Sequence, residues 1–198
     1  MKKHYCLILF TLLALPALAQ KTYLDSISRY QKYYIASHEV VKGNDKKFFR
    51  FFAPDESFRF HCRFEKSMDS SIVRMATSGK TIPEKNFTCY GNIIFTLHDT
   101  ACQLKVYRSL SSKPAYNNYL FIPFTDLTSG DETYGSGRYI DIVTTDIINN
   151  SVEIDFNKAY NPYCAYTTGY NCPIPPRQNY LPVAIKAGEK TFAKPPAH

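Results

Sequence analysis

Hydrophobic and polar positions alternate with a period of two in many short segments of this chain. In Ser57–Glu65, one face carries Phe58, Phe60, Cys62 and Phe64, and the other carries Arg59, His61, Arg63 and Glu65. Because successive side chains of a strand point to opposite faces, this pattern predicts a half-buried antiparallel strand. Further strands are predicted at Lys47–Ala53, Ser71–Thr77, Asn92–Leu97, Cys102–Tyr107, Tyr119–Phe124, Arg138–Val143, Ser151–Phe156 and Leu181–Lys186.

Two pairs of these segments are separated by turn-forming residues and are predicted to be hairpins. Lys47–Ala53 is expected to pair with Ser57–Glu65 across the Pro54–Glu56 turn. Ile93–Leu97 is expected to pair with Cys102–Tyr107 across a polar loop. Short strands at intervals of about ten residues are typical of an antiparallel barrel or sandwich. The predicted fold is therefore all-β, a single barrel or compact sandwich.

The two ends of the predicted sheet region have different patterns. Residues 21–37 place apolar and aromatic side chains at helical spacing, which predicts a short N-terminal helix. After Tyr160 the chain alternates Pro with Tyr, Asn and Cys. Proline cannot donate the backbone hydrogen bond that a strand needs. We therefore expect this segment to cross the sheet as an extended Pro/Tyr-rich strap.

The first nineteen residues have the three parts of a secretory signal peptide. Lys2 and Lys3 form a basic start, an apolar run covers Leu7–Leu15, and Ala17-Leu18-Ala19 is a cleavage site of small residues. The run is shorter than the roughly 20 residues of a membrane span. We expect cleavage near Ala19/Gln20, a periplasmic or secreted protein with no membrane span, and one β-rich domain over 20–198.

Composition and charge narrow the class of partner. The chain has 16 Tyr and 14 Phe but no Trp, which favours strands. Its formal charge is +7 over 198 residues, yet the dense basic patch at Lys42–Arg50 is interpreted as a solvated loop. Nucleic-acid binding would need a recognisable basic module, so no nucleic-acid partner is expected. The oligomeric state is left open.

Export makes the cysteines informative, because extracytoplasmic compartments are oxidising. Without Cys6 of the signal peptide, five cysteines remain, so at least one stays unpaired within the chain. Cys164 and Cys172 lie close together in the strap and are the candidate disulfide. Cys62 and Cys102 are predicted on apolar strand faces, with a bond between them left open, and Cys89 is the candidate odd thiol.

Polar residues that could form a site are concentrated between 121 and 190. Arg138 is a candidate for binding an anionic ligand, although an internal salt bridge to Asp155 or Asp141 is favoured. Asp155, Asn157 and Asn161 are candidate ligand contacts or turn caps, and capping is favoured. Asp155 with Asp141 or Glu189 offers oxygen ligands to a hard cation. The spacing matches no known metal loop, so neither a metal nor another cofactor is expected.

Five strings in this region carry a family resemblance. In chain order they are FTDLTSG (124–130), TYGSGRYID (133–141), DFNKAYNP (155–162), CAYTTGYNCPIPP (164–176) and AGEK (187–190). In this order and spacing the chain resembles the family known as domain of unknown function 1684. The resemblance is dense over 121–190 and weaker upstream, and it implies no activity, because the family's name assigns none.

The sequence leaves three functional hypotheses. It contains no G-x-S-x-G, H-E-x-x-H or P-loop motif. The preferred hypothesis is a binding module for a small anionic or sugar-like ligand, with Arg138, Tyr134 and Tyr139 among the contacts. Six tyrosines would line its groove or would instead pack the strap on the sheet, and packing is slightly favoured: Tyr134, Tyr139, Tyr160, Tyr163, Tyr166 and Tyr170. The alternatives are a hydrolytic enzyme that uses Asp155, Glu189 or Cys164, and a structural, envelope-associated protein.

Overall fold

The structure is a computed structural model that describes residues 5–79, 81–110 and 117–195. Its helix α1 spans Tyr5–Ser37. Seven strands follow, β1 to β7 in chain order: Arg59–Lys66, Ile72–Ala76, Glu84–Leu97, Thr100–Ser109, Tyr119–Phe124, Arg138–Val143 and Ser151–Asp155. The predicted helix and seven of the nine predicted strands are therefore confirmed, although β3 begins eight residues earlier than predicted.

The strands form one antiparallel sheet that curls into an open half-barrel, which confirms the predicted barrel-like all-β fold. Their order across the sheet is β6-β5-β4-β3-β1-β7, and β2 pairs with the first half of β3. The hairpin of β3 and β4 has the longest pairing and continues past a bulge near Gly91. A Cβ atom at Gly91 would lie 2.4 Å from the Phe64 ring, so this close approach requires glycine.

The two faces of the sheet carry two separate hydrophobic clusters. The inner face forms the main core, with fully buried residues such as Ile93, Leu104, Leu120 and Ile154. The strap adds Leu181 and other apolar residues to this core. The outer face carries a smaller, mostly aromatic cluster, which comprises Met75, Phe87, Tyr107, Phe121 and Tyr139. Period-two alternation along β5 and β6 divides their side chains between the two clusters.

Two predicted strands are wrong. Lys47–Ala53 begins inside a 3-10 turn, Gly43–Phe48, and its only bridge joins Phe51 to Glu189 among the described residues. Leu181–Lys186 crosses the core without joining the sheet. Both segments bury large apolar side chains, which gave them the pattern of strands. The expected hairpin of Lys47–Ala53 with Ser57–Glu65 is therefore wrong too, and β1 pairs with β3 and β7.

A buried arginine fastens the strap to the sheet. Arg138, the first residue of β6, is fully buried, and its Nη2 lies 2.9 Å from Asp126 Oδ2. Its guanidinium also donates to the backbone carbonyls of Ile185, Ala187 and Glu189. These carbonyls belong to alternate residues of an extended segment that is not part of the sheet. The guanidinium thus supplies hydrogen-bond donors that a neighbouring strand would otherwise supply.

The predicted internal salt bridge of Arg138 is confirmed, but its partner is Asp126 and not Asp155 or Asp141. Asp126 is itself held by the backbone N–H and the hydroxyl of Thr128. Gly137 adopts a φ of +89°, and a Cβ there would lie 2.6 Å from the Phe124 carbonyl oxygen. The turn before β6 therefore requires glycine, and it places Arg138 on the inner face.

Two of the five cysteines after the expected signal peptide form a disulfide, and three are free. Cys164 and Cys172 form a disulfide, which confirms the candidate pair. Cys62, Cys89 and Cys102 are free thiols. A bond between Cys62 and Cys102 is not formed, because β3 lies between their strands and separates them by about 10 Å. A disulfide needs Cα atoms closer than about 7 Å.

Part of the expected signal peptide lies outside the described residues. Residues 1–4 lie outside the described ranges, and residues 5–19 form the first part of α1. None of the described helices is both long and apolar enough to cross a membrane.

The Arg138–Asp126 pair should dominate the stability of the fold. We expect Asp126→Asn to lower the free energy of unfolding by about 3–5 kcal/mol, because it leaves a buried guanidinium without its counter-charge. Urea unfolding, followed by circular dichroism, measures this change. The matched control is Asp45→Asn, which breaks the exposed Asp45–Lys194 pair and should cost less than about 1 kcal/mol. Equal effects of the two substitutions would contradict the proposed importance of the buried pair.

Candidate functional site

A groove of about 730 Å³ lies between the outer face of the sheet, the end of α1 and the strap. Eight of the described residues that line it are tyrosines: Tyr30, Tyr33, Tyr34, Tyr119, Tyr139, Tyr160, Tyr163 and Tyr170. Phe87 and Phe121 add two further rings. The rings pack mainly edge to face, as between Phe121 and Tyr139, whose centroids are 4.6 Å apart. The groove is therefore lined mainly by aromatic side chains.

Each wall of the groove is supplied by a different part of the chain. The sheet contributes outward-facing residues of β3, β5 and β6, which alternate with the inward-facing core residues. Helix α1 contributes Tyr30, Tyr33 and Tyr34, which share one side of its last turns. The strap crosses at one end, where the Tyr139 hydroxyl donates to the Pro173 carbonyl. The disulfide fixes the strap loop that carries Tyr170 and Asn171.

Asp141 on β6 is the carboxylate of the sheet wall. Its Oδ1 accepts a hydrogen bond from the Tyr119 hydroxyl at 2.6 Å, and its Oδ2 accepts one from the Tyr160 hydroxyl at 2.7 Å. The side chain is exposed to solvent within the groove, yet protein surrounds it on several sides. This partial burial raises the pKa of Asp141, and the two hydrogen bonds oppose the rise. Burial also raises the pKa of Tyr160 well above its ordinary value, so its hydroxyl stays protonated and donates.

The helix end of the groove has a second carboxylate and a neutral histidine. Glu39 is exposed and accepts a hydrogen bond from the Tyr163 hydroxyl at 3.1 Å. His38 is buried, and its Nδ1 accepts from the backbone N–H of Val41 at 2.9 Å. Burial lowers the pKa of His38 to about 4, so the ring is neutral at physiological pH. Lys85 also lines the groove, and burial lowers its pKa.

A buried carboxylate behind this end joins helix, strap and sheet. Glu189 is fully buried, and its carboxylate accepts hydrogen bonds from the Tyr166 hydroxyl at 2.8 Å and from the backbone N–H of Asn161 at 2.9 Å. The Tyr34 hydroxyl, from α1, donates to the same group at 3.4 Å. Burial raises the pKa of Glu189 to about 7, although these hydrogen bonds favour the charged form. Glu189 therefore positions the helix wall of the groove without lining it.

Of the residues predicted to contact a ligand, Tyr139 lines the groove. Arg138 precedes it on β6 but points to the inner face, where its guanidinium is enclosed by Asp126 and three carbonyls. No ligand can reach it there, so the anion-binding role expected of Arg138 has no geometric basis. Tyr134 is half-buried and lies outside the groove.

The polar cluster after β7 is structural. Asp155 accepts hydrogen bonds from the Asn157 backbone N–H and from the Tyr23 hydroxyl, both at 3.0 Å. Asn157 is fully buried and joins this turn to the backbone of Asp55. Asn161 is also fully buried, and its side-chain amide donates to the Lys190 carbonyl. Asp155 caps the turn after β7, as the favoured interpretation predicted, whereas Asn157 and Asn161 do not cap turns and instead bind distant backbone segments.

The residues of the hydrolase alternative do not converge on an open site. Asp155 and Glu189 are buried in separate hydrogen-bond clusters, and the sulfur of Cys164 is bonded to Cys172. Within the described ranges, no group of three or more His, Cys, Asp or Glu side chains is placed to hold a metal.

Sequence reasoning missed most of the groove. Of the six tyrosines of the predicted surface, Tyr134 and Tyr166 do not line the cavity, and four do: Tyr139, Tyr160, Tyr163 and Tyr170. Sequence reasoning did not identify the tyrosines of α1 or Tyr119, because they are far from the strap in sequence. The available signal is the helical spacing of Tyr30 and Tyr34, which predicts a helix but does not indicate what these side chains face.

The buried Glu189 should make the protein less stable as the pH rises. Most carboxylates have the opposite effect, because their pKa is lowered on folding. The pKa of Glu189 is raised from 4.5 to about 7 in the folded state, so its contribution is fully present below pH 4.5 and is lost as the pH rises to 7. Glu189→Gln cannot titrate. We expect the difference in unfolding free energy, wild type minus variant, to fall by about 3 kcal/mol across this window.

Urea unfolding at several pH values measures that difference. The control is Glu132→Gln, because Lys186 and Lys190 lower the pKa of the surface carboxyl of Glu132. For this control, the difference should instead decrease as the pH falls. Parallel curves for wild type and Glu189→Gln would contradict the assignment.

Comparisons with known proteins agree with the geometry of the fold. A solved structure, the solution NMR structure of an uncharacterized protein of Haloarcula marismortui, is similar with a TM-score of 0.64. The two chains are 26% identical, and the match covers 89% of this chain and 96% of the other. No match was found among curated proteins. Residues 47–190 match the family described as protein of unknown function (DUF1684). This chain therefore belongs to the DUF1684 family.

Proposed function

We propose that this protein is exported and acts as a small-ligand-binding module, with the tyrosine groove as its site and a sugar-like molecule as its ligand. The observation that carries the proposal is the grouping of eight tyrosines around a cavity of about 730 Å³. Binding sites for small molecules typically have volumes of about 300–1,000 Å³ and are lined by aromatic side chains with a few polar groups. Tyrosine faces pack against the apolar face of a sugar ring, and their hydroxyls hydrogen-bond to its polar edge.

The charges of the groove favour a sugar-like ligand over an anionic one. Asp141 and Glu39 line it, against one lysine, Lys85, among its described residues. An anion would approach two carboxylates and lose hydration without a matching guanidinium. Binding is also favoured over hydrolysis, because the groove carboxylates accept hydrogen bonds from tyrosines and Cys164 is not a free thiol.

Export is supported by two independent features. The first nineteen residues have the pattern of a signal peptide, and the strap contains a disulfide, which is stable in oxidising compartments. Cleavage after Ala19 would leave Gln20–Ser37 as the helix. This remainder retains the buried residues Tyr23 and Ile27, which pack α1 on the rest of the protein.

Ligand binding is tested with neutral, acidic and amino oligosaccharides by titration of tyrosine fluorescence, since the chain has no tryptophan. We expect a saturable change with at least one of the sugars. Tyr33→Ala and Tyr170→Ala should each weaken binding about tenfold, or about 1.4 kcal/mol, because each removes a ring from the groove. Both side chains are largely exposed, so their loss should leave the fold intact.

The control is Tyr180→Ala. Tyr180 is 47% exposed and lies outside the groove, so its replacement should leave the affinity unchanged. An equal loss for Tyr180→Ala would indicate nonspecific binding. No saturable change with any sugar would contradict the proposal and favour a structural role.

The export proposal predicts the mature N-terminus. When the full chain is expressed in a bacterium, the protein recovered from outside the inner membrane should begin at Gln20, as read by intact mass. Replacing both Ala17 and Ala19 with Leu should block cleavage, since the site requires small residues. Recovery of the wild-type chain in the cytosol with residues 1–19 attached would contradict export.

A further inference from the structure

The Asp141 site in the groove presents hydrogen-bond acceptors and no spare donors. A tyrosine hydroxyl has one proton, and Tyr119 and Tyr160 both give theirs to the Asp141 carboxylate. What this set can offer a ligand is therefore the remaining lone pairs of the Asp141 carboxylate. A ligand group that has only acceptors would meet repulsion here, while a donor-rich group would be bound.

The second carboxylate of the groove repeats this arrangement. Tyr163 donates its hydroxyl proton to Glu39 Oε2, so this pair also presents acceptors to the cavity. The two carboxylates lie on different walls, Asp141 on β6 and Glu39 directly after α1. A ligand that fills the groove between sheet and helix thus meets negative charge from both sides.

Aromatic rings surround the same volume. The Tyr139 and Tyr160 centroids are 5.8 Å apart, those of Tyr34 and Tyr160 are 6.2 Å apart, and those of Tyr163 and Tyr170 are 5.1 Å apart. The face of an aromatic ring attracts a cation within about 6 Å of its centroid. Tyrosine rings beside carboxylates therefore favour the positive charge that the acceptor sites also favour.

We infer that the groove selects a sugar that carries an ammonium group, and that Asp141 is the residue that selects it. This inference rests on the proposed function and specifies its ligand class. An ammonium has three donors and no acceptor, which complements the Tyr119–Asp141–Tyr160 set. The sugar ring packs against the tyrosine faces while its ammonium binds the Asp141 carboxylate through a charge-assisted hydrogen bond.

The net charge of the whole protein does not explain such a preference. The chain carries a formal charge of +7, which repels a cationic ligand at long range. Lys85 in the groove acts in the same direction. Tighter binding of a cationic sugar would therefore arise from local contacts with the groove carboxylates and rings, and it would not be a general electrostatic effect.

Three oligosaccharides of one length and linkage test the inference: β-linked oligomers of glucosamine, of N-acetylglucosamine and of glucose. They differ only in one substituent on each ring, which is an ammonium, an acetamide or a hydroxyl. Titrations are made at several pH values from mildly acidic to neutral, because amines are most fully protonated at the acidic end, whereas the raised pKa of Asp141 means that its carboxylate is most fully ionised at the neutral end. We expect the glucosamine oligomer to bind at least tenfold more tightly than the glucose oligomer, with the difference reduced by added salt.

Asp141→Asn identifies the selecting residue. Its amide can still accept from one tyrosine and donate to the other, so the fold should persist, as a thermal melt checks. We expect this variant to bind the glucosamine and glucose oligomers with affinities within about threefold of each other, because it has lost the charge that distinguishes them. Glu39→Gln should reduce the preference in part. Asp131→Asn, at an exposed position outside the groove, should keep it.

The outcomes separate the two proposals. If the three oligomers bind wild type equally, the ammonium inference is overturned and the sugar-binding proposal stands. The inference also fails if the preference survives in Asp141→Asn. If none of the three binds, while other sugars do, the ligand class is wrong. If no sugar of any class binds, both proposals fail.

Discussion

A single buried guanidinium fixes the position of the strap relative to the sheet. Arg138 neutralises Asp126 and binds the carbonyls at 185, 187 and 189, so the last part of the strap is fixed against β6. Glu189 is the last of these three residues. Its carboxylate accepts hydrogen bonds from the hydroxyls of Tyr34 in α1 and Tyr166 in the disulfide loop. Burying these charges is favourable only if every partner is present. The position of the groove walls therefore depends on a contact on the opposite face of the sheet.

This dependence explains why the groove is formed from distant segments. Its sheet and strap walls lie within residues 47–190, the part that matches the family, whereas Tyr30–Glu39 precede that part. The helix is joined to the rest through tyrosines, with Tyr23 on Asp155 and Tyr34 on Glu189. A hydroxyl satisfies a buried carboxylate while its ring fills apolar space. Tyrosine thus serves both as packing and as the polar contact between helix and sheet.

The sequence predicted those features that depend on neighbours along the chain. The strands at Tyr119–Phe124 and Arg138–Val143 were predicted to the residue, because alternation is a local property. Lys47–Ala53 was wrong because its Phe residues lie on both sides of an irregular segment that packs near Glu189. Leu181–Lys186 was wrong because it makes only isolated contacts: its backbone hydrogen-bonds to residues 125 and 127, and its Ile185 carbonyl accepts from the Arg138 side chain. The groove could not be predicted, since its walls come from residues more than 100 positions apart.

The chemistry of the groove follows from how its tyrosines are used. In the groove, the hydroxyls of Tyr119 and Tyr160 donate to the Asp141 carboxylate. Each such bond consumes a donor and leaves acceptors facing the cavity. The Arg138 guanidinium, a strong cationic donor, is instead enclosed on the inner face. Arg138 and Asp141 thus point to opposite faces of β6. The inner face holds a buried guanidinium, and the groove holds a carboxylate that accepts hydrogen bonds.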